Sequence, residues 1–204
     1  MKYLSISMIL IFSLLTYANS KTEVLLIYGD SISAGYGMSK EKQWSVILQE
    51  EINKENLKIK IINSSISGET TSGGLARISQ TIESIKPDYL LLELGGNDAL
   101  RGYPPKQIAA NLVEMIKIAD SADAKVLLMQ IKIPPNYGSR YQKAFESIYS
   151  STANETSATL IPFMLEEVAL NEELMLPDGI HPKASAQPLI ADYVYRQLKP
   201  LLIH

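Results

Sequence analysis

The segment Val24-Leu25-Leu26-Ile27-Tyr28-Gly29-Asp30-Ser31 passes from five apolar residues straight into a turn-forming glycine and two polar residues. A short, unbroken apolar run before a turn is typical of a strand that is buried on both faces of a parallel sheet. We predict this strand over Val24 to Tyr28. Four further strands are predicted from similar runs: Ile59 to Asn63, Tyr89 to Leu94, Lys125 to Gln130 and Thr159 to Ile161.

Between these strands lie segments with apolar residues three and four positions apart, a spacing that predicts amphipathic helices. The clearest sets are Trp44, Ile47, Leu48 and Ile52; Leu75, Ile78, Ile82 and Ile85; and Ile108, Leu112, Met115, Ile116 and Ala119. Helix-like stretches also run from Arg140 to Thr156 and from Ala184 to Leu198. Alternating strands and helices indicate an α/β fold, a three-layer α/β/α domain. For a parallel sheet of five strands we predict the flavodoxin-like order 2-1-3-4-5.

Polar motifs follow the first three predicted strands at the point where each strand ends. Ser31 follows strand one, Gly68 follows strand two and Asn97 follows strand three. The predicted order makes these strands neighbours, ~4.8 Å apart, so their loops meet at one edge of the sheet. The segment Asp178-Gly179-Ile180-His181 can return to this edge because the stretch from Phe163 to Pro177 is long enough to reach it.

These motifs together predict an acyl-transfer site with Ser31 as the nucleophile. A serine hydroxyl needs a base to take its proton. The chain has two histidines, and His204 is the terminal residue, so His181 is the predicted base. Asp178 can accept a hydrogen bond from the other ring nitrogen and stabilise the imidazolium.

The oxygen of a tetrahedral intermediate needs hydrogen-bond donors. The backbone N–H groups of Ser31 and Gly68 and the side-chain amide of Asn97 are the predicted donors of this oxyanion hole. Taken alone, Gly68 is better interpreted as an ordinary turn glycine, and Asn97 is also typical of a turn after a strand. We interpret Asp30 and Asp98 as structural residues that cap helices or hold the loops.

The acyl-binding surface is predicted on the loops after strands three and four. The candidate substrate-binding residues are Leu100, Ile133, Pro134 and Tyr137, whose apolar side chains suit a chain of methylenes. The alternative is that these side chains only cap the core. Glu93 is an exception within an apolar strand, and we expect it to pair with a base or to face an edge.

The N-terminus has the pattern of a secretory signal. Lys2 precedes an apolar run from Leu4 to Leu15, and Ala18-Asn19-Ser20 offers small residues for cleavage. The run is shorter than the roughly 20 residues that span a bilayer, so a retained anchor is the less favoured alternative. We predict that residues 1–20 are removed, that residues 21–204 form one domain without a membrane span, and that the protein is periplasmic or secreted.

Composition excludes several classes of function. The 204 residues include no cysteine, which excludes thiolate chemistry and disulfides. The net charge of −3 gives no reason to expect nucleic acid or an anionic membrane as a partner.

The four motifs resemble the blocks of the SGNH (GDSL-type) hydrolases: Gly29-Asp30-Ser31, Ser67-Gly68-Glu69-Thr70, Gly95-Gly96-Asn97-Asp98 and Asp178-Gly179-Ile180-His181. The resemblance covers the whole predicted mature chain and is closest to a periplasmic group of multifunctional thioesterases and lysophospholipases. It implies a monomeric or weakly associating esterase of broad range that cleaves acyl thioesters, lysophospholipids and simple aryl or alkyl esters without a metal or cofactor. It also implies Ser31, Asp178 and His181 as a triad, with Gly68 and Asn97 as oxyanion donors.

Two alternatives remain open from the sequence. A carbohydrate O-deacetylase would use the same four blocks with a shorter acyl group. A non-catalytic flavodoxin-like binder would hold an anion in the loop from Gly29 to Gly37. The second alternative leaves Asp178 and His181 without a role, and the loop lacks the lysine of a P-loop.

Overall fold

The computed structural model describes residues 21–202, so the predicted signal peptide lies outside the described residues. Its sheet has five parallel strands in the order β2-β1-β3-β4-β5, which confirms the predicted fold. The strands are β1 (Glu23–Gly29), β2 (Ile59–Asn63), β3 (Tyr89–Glu93), β4 (Lys125–Met129) and β5 (Thr159–Ile161). Each predicted strand is present, and the bounds differ by one residue at most at either end.

The helices between the strands follow the predicted periodicity. They are α1 (Ser31–Ala34), α2 (Trp44–Lys54), α3 (Thr71–Ile85), α4 (Gly96–Leu100), α5 (Pro105–Asp120), α6 (Ser139–Glu155) and α7 (Gln187–Leu202). The predicted helix from Ala184 starts with a 3₁₀ turn at Ala184–Ala186 and continues as α7. The short helices α1 and α4 were not predicted, and both begin at the polar motifs that follow β1 and β3.

An apolar core lies on each face of the sheet. Leu26 and Tyr28 of β1 face the core that α3, α5 and α6 cover, and Leu25 and Ile27 face the core beneath α2 and α7. This alternation follows from the two-residue period of a strand. No helix within residues 21–202 is long and apolar enough to cross a membrane.

The register of the central strands brings the motifs to one edge. Gly29 at the end of β1 is the partner of Glu93 at the end of β3. The N–H of Ile66, just after β2, donates to the carbonyl of Gly29 (3.1 Å), so the loop of Gly68 begins beside the same strand end. The carboxyl edge of the sheet therefore carries the loops of Ser31, Gly68 and Asn97, as predicted.

Candidate active site

A row of hydrogen bonds joins three of the predicted site residues. Ser31 Oγ lies 2.8 Å from His181 Nε2. On the other side of the ring, His181 Nδ1 lies 2.8 Å from Asp178 Oδ2. Ser31 is the first residue of α1. Asp178 and His181 return to it on the long connection after β5, across 150 positions of sequence between Ser31 and His181.

The turn around Asp178 orients its carboxylate. Asp178 Oδ1 accepts hydrogen bonds from the N–H groups of Ile180 (2.9 Å) and His181 (3.0 Å). Although burial opposes ionisation, these two N–H groups and the imidazole lower the pKa of Asp178 to about 2. A charged Asp178 accepts from Nδ1–H, so Nε2 is left to accept the proton of the Ser31 hydroxyl.

Asp30 connects the serine turn to Asn97. Its Oδ1 accepts from the N–H of Ile32 (3.0 Å), and its Oδ2 accepts from Asn97 Nδ2 (3.1 Å). One hydrogen of the Asn97 amide is thereby held, and its second hydrogen remains to donate elsewhere. The interpretation of Asp30 as a helix cap and loop support is confirmed.

Asp98 holds the start of α3. It accepts from the N–H of Thr71 (2.8 Å) and from its hydroxyl (2.6 Å), so its predicted structural role is also confirmed. Gly68 lies just before this helix, and its carbonyl accepts from Arg101 Nη2 (3.3 Å). Gly68 has φ +80°, and a Cβ built there meets no atom within 4 Å. Glycine is therefore required by the left-handed backbone at this position, not by crowding from the rest of the chain.

A cavity of about 630 Å³ opens beside the serine. Ser31, Asn97 and His181 form part of its polar wall. Most of the remaining wall is apolar, and a cavity of this size and character is typical of a small-molecule site. Of the four predicted acyl-binding residues, Leu100, Ile133 and Pro134 line the cavity. Tyr137 does not line it and packs against the core under α6 instead.

The family of this chain follows from its match to a model of a known protein family. Residues 27–187 match the model of the GDSL-like Lipase/Acylhydrolase family. The chain belongs to this family. The resemblance to SGNH (GDSL-type) hydrolases is confirmed, and the protein is an enzyme of that class.

Relatives of this GDSL hydrolase cover nearly its full length. An arylesterase of Vibrio mimicus is 46% identical over 93% of this chain and 95% of its own. Thioesterase 1/protease 1/lysophospholipase L1 of Escherichia coli K12 is 45% identical over 94% of this chain and 90% of its own. A solved structure of the psychrotrophic esterase EstA from a Pseudoalteromonas species, inhibited by monoethylphosphonate, is 42% identical with a TM-score of 0.86, covering 88% of this chain and 98% of its own.

Glu93 of this GDSL hydrolase departs from the sequence-based expectation. The expectation that Glu93 pairs with a base or faces an edge is wrong, because β3 lies between β1 and β4 and only 3% of Glu93 is exposed. Its Oε2 accepts from the hydroxyl of Ser33 (2.7 Å) and the N–H of Asp30 (3.3 Å). Burial, together with the nearby Asp30 carboxylate, raises the pKa of Glu93 well above its usual value.

Sequence reasoning also missed one wall of the cavity in this GDSL hydrolase. From the sequence, the connection after β5 is predicted only to be long enough to carry His181 back. Its side chains line the cavity at Phe163, Met164, Leu165, Ala169, Leu170 and Met175. The signal was a group of apolar residues without helix or strand period in a segment that leads to the predicted base. Within the part of the chain that the structure describes, no cluster of three or more His, Cys, Asp or Glu side chains could hold a metal ion.

Proposed function

We propose that this protein is a serine esterase of broad range that hydrolyses acyl thioesters, lysophospholipids and simple aryl or alkyl esters through an acyl-enzyme. The observation that carries the proposal is the hydrogen-bonded row Ser31–His181–Asp178 beside an apolar cavity. Relatives named as arylesterase and as thioesterase and lysophospholipase support the same range of substrates.

In the acylation step, Ser31 Oγ attacks the substrate carbonyl carbon while His181 Nε2 takes the hydroxyl proton. The new bond turns the carbonyl oxygen into an oxyanion, and the charged Asp178 stabilises the imidazolium that has formed. The intermediate then collapses, and the bond to the leaving oxygen or sulfur breaks. His181 returns its proton to that leaving group. The reaction needs no cofactor.

In the deacylation step, water takes the place of the leaving group. His181 Nε2 takes a proton from the water, whose oxygen attacks the acyl carbon. The second intermediate then collapses: the bond from Ser31 Oγ to the acyl carbon breaks, His181 gives the proton to Oγ, and the carboxylic acid leaves. Both intermediates carry an oxyanion. The N–H groups of Ser31 and Gly68 and the Asn97 amide are the proposed donors, and loss of one such donor typically lowers the rate by ~10²–10³.

A fluorophosphonate probe tests the nucleophile. We expect it to label the protein covalently at Ser31, and we expect Ser31→Ala to lose both the label and turnover of p-nitrophenyl esters. Ser150→Ala, which changes an exposed serine on α6, serves as the matched control. Retained turnover in Ser31→Ala, with a melting temperature like that of the wild type, would refute the proposal.

Two further expectations accompany this proposal. We expect the enzyme to act as a monomer on small-molecule substrates, without nucleic acid as a partner. From the N-terminal pattern we also expect export with cleavage near Ser20, so that the mature enzyme is periplasmic or secreted. Intact mass of the exported protein checks the cleavage position.

A further inference from the structure

The aromatic ring of Tyr36 lies against the proposed base. Its centroid is 4.3 Å from the centroid of the His181 imidazole, and the two ring planes are inclined by 32°. Half of Tyr36 is exposed, whereas only 17% of the His181 side chain is. The mechanism described above assigns Tyr36 no role.

The backbone connects Tyr36 to the nucleophile. The N–H groups of Gly35 and Tyr36 both donate to the carbonyl of Ser31, and the distance from Tyr36 N is 3.1 Å. Gly35 and Gly37 both have positive φ, 73° and 76°, which turns the chain sharply on either side of Tyr36. The side chain of Gln43 packs against Gly35, and its Nε2 donates to the carbonyl of Ala34 (2.8 Å). The backbone of Tyr36 is therefore fixed relative to Ser31, and its ring lies against His181.

The hydrogen bonds of His181 leave one motion weakly restrained. Ser31 and Asp178 hold the two ring nitrogens, and both bonds act along the plane of the ring. The χ2 torsion of a histidine has broad minima, so the ring can tip out of that plane. An aromatic ring against its face resists tipping, and the negative face of the tyrosine ring also favours an imidazolium.

We propose that Tyr36 is a positioning residue that acts on His181 through the face of its ring and not through its hydroxyl. The inference rests on the proposed role of His181 as the base. Because His181 moves a proton in both halves of the reaction, losing the Tyr36 ring slows acylation and deacylation by the same factor. A residue that only contacted the leaving group would affect acylation alone.

The test compares Tyr36→Leu with Tyr36→Phe, which keeps the ring and removes the hydroxyl. For Tyr36→Leu we expect kcat to fall on the order of tenfold with KM changed less than about twofold, as a cation–π contact of ordinary strength implies. Tyr36→Phe should stay within about twofold of the wild type. Burst kinetics with p-nitrophenyl and thiophenyl esters of one acid separate the acylation rate from the deacylation rate. The rate at which the fluorophosphonate labels Ser31 should fall together with the acylation rate.

Three results would overturn the inference: an unchanged kcat in Tyr36→Leu, a loss as large in Tyr36→Phe, or slowing of acylation alone that varies with the leaving group.

A second measurement does not depend on activity. In a His204→Gln background His181 is the one histidine left in the sequence. Its imidazole proton resonances, measured by NMR, should move when Tyr36→Leu removes the ring current. An unmoved resonance would refute the contact itself. Failure of the proposed function would appear separately, as activity retained by Ser31→Ala.

Discussion

Glu93 places a carboxyl group at the end of the central strand, directly beneath the serine turn. Its Oε2 accepts hydrogen bonds from Ser33 and from the backbone of Asp30, so it ties β3 to the start of α1. Asp30 is buried beside it, and burial raises the pKa of Asp30 as well. Two adjacent buried carboxyl groups do not both ionise readily. Each carboxyl accepts two hydrogen bonds, but the nearby His181 lowers the pKa of Asp30, whereas burial and the Asp30 carboxylate raise the pKa of Glu93. We infer that Glu93 is the one that keeps its proton.

This arrangement predicts that the ionisation of Glu93 lowers the free energy of unfolding as pH rises. In the unfolded chain Glu93 ionises near its usual pKa of 4.5, while the folded protein retains the proton to higher pH. Between those values the folded state binds more protons, so the free energy of unfolding falls with pH by at most ~1.4 kcal/mol per unit for this group. A glutamine keeps an oxygen that can accept from Ser33 and Asp30 but cannot ionise.

We therefore expect the stability advantage of Glu93→Gln over the wild type to grow as pH rises above about 4.5. Urea unfolding followed by circular dichroism from acid to alkaline pH measures it, with Glu83→Gln on the exposed face of α3 as the control. A difference that stays constant across the range would contradict the prediction. The sequence could not reveal this behaviour, because a lone glutamate in a strand does not indicate which groups will surround it.

At the scale of elements, the loops at the carboxyl edge do more than connect strands. The long helices were predicted because their apolar period extends over many residues. The short helices α1 and α4 have too few residues to display a period, although they carry Ser31 and Asn97. The predicted strand order, which puts Ser31 and Asn97 just after neighbouring strands, predicted that they would meet.

The loop before α3 offers a test of the backbone at Gly68. Gly68→Ala puts a side chain at φ +80°, which costs roughly 1–2 kcal/mol of strain. Backbone rotation that relieves this strain turns the Gly68 N–H away from the oxyanion to which it is proposed to donate. Gly138, at the start of α6, also has a positive φ (+85°) and open space, so Gly138→Ala is a control for adding a side chain at positive φ. We expect a lower melting temperature in both variants, and a fall in kcat on the order of tenfold or more only in Gly68→Ala. Equal kinetic losses in the two variants would rule out a special role for the Gly68 N–H.

Over the whole molecule, the cavity is assembled from segments that are far apart in sequence. Leu100 comes from α4, Ile133 from the loop after β4, and Leu165 from the connection after β5. The two earlier loops were predicted because strand order places them beside the serine. The wall after β5 was not, because an aperiodic segment shows no buried face in its sequence, and residues such as Leu165 and Met175 are buried only through packing in the core beneath α2 and α7.

This assembled cavity predicts a preference for medium acyl chains over acetyl groups. Each methylene that enters the apolar wall contributes ~0.8 kcal/mol, or roughly fourfold in kcat/KM. We expect kcat/KM to rise along a series of p-nitrophenyl esters from acetyl to octanoyl, and along the matching thioesters. Ala169→Phe adds a ring to the wall and should penalise octanoyl esters more than acetyl esters. Highest kcat/KM for the acetyl ester, unaffected by Ala169→Phe, would favour the O-deacetylase instead.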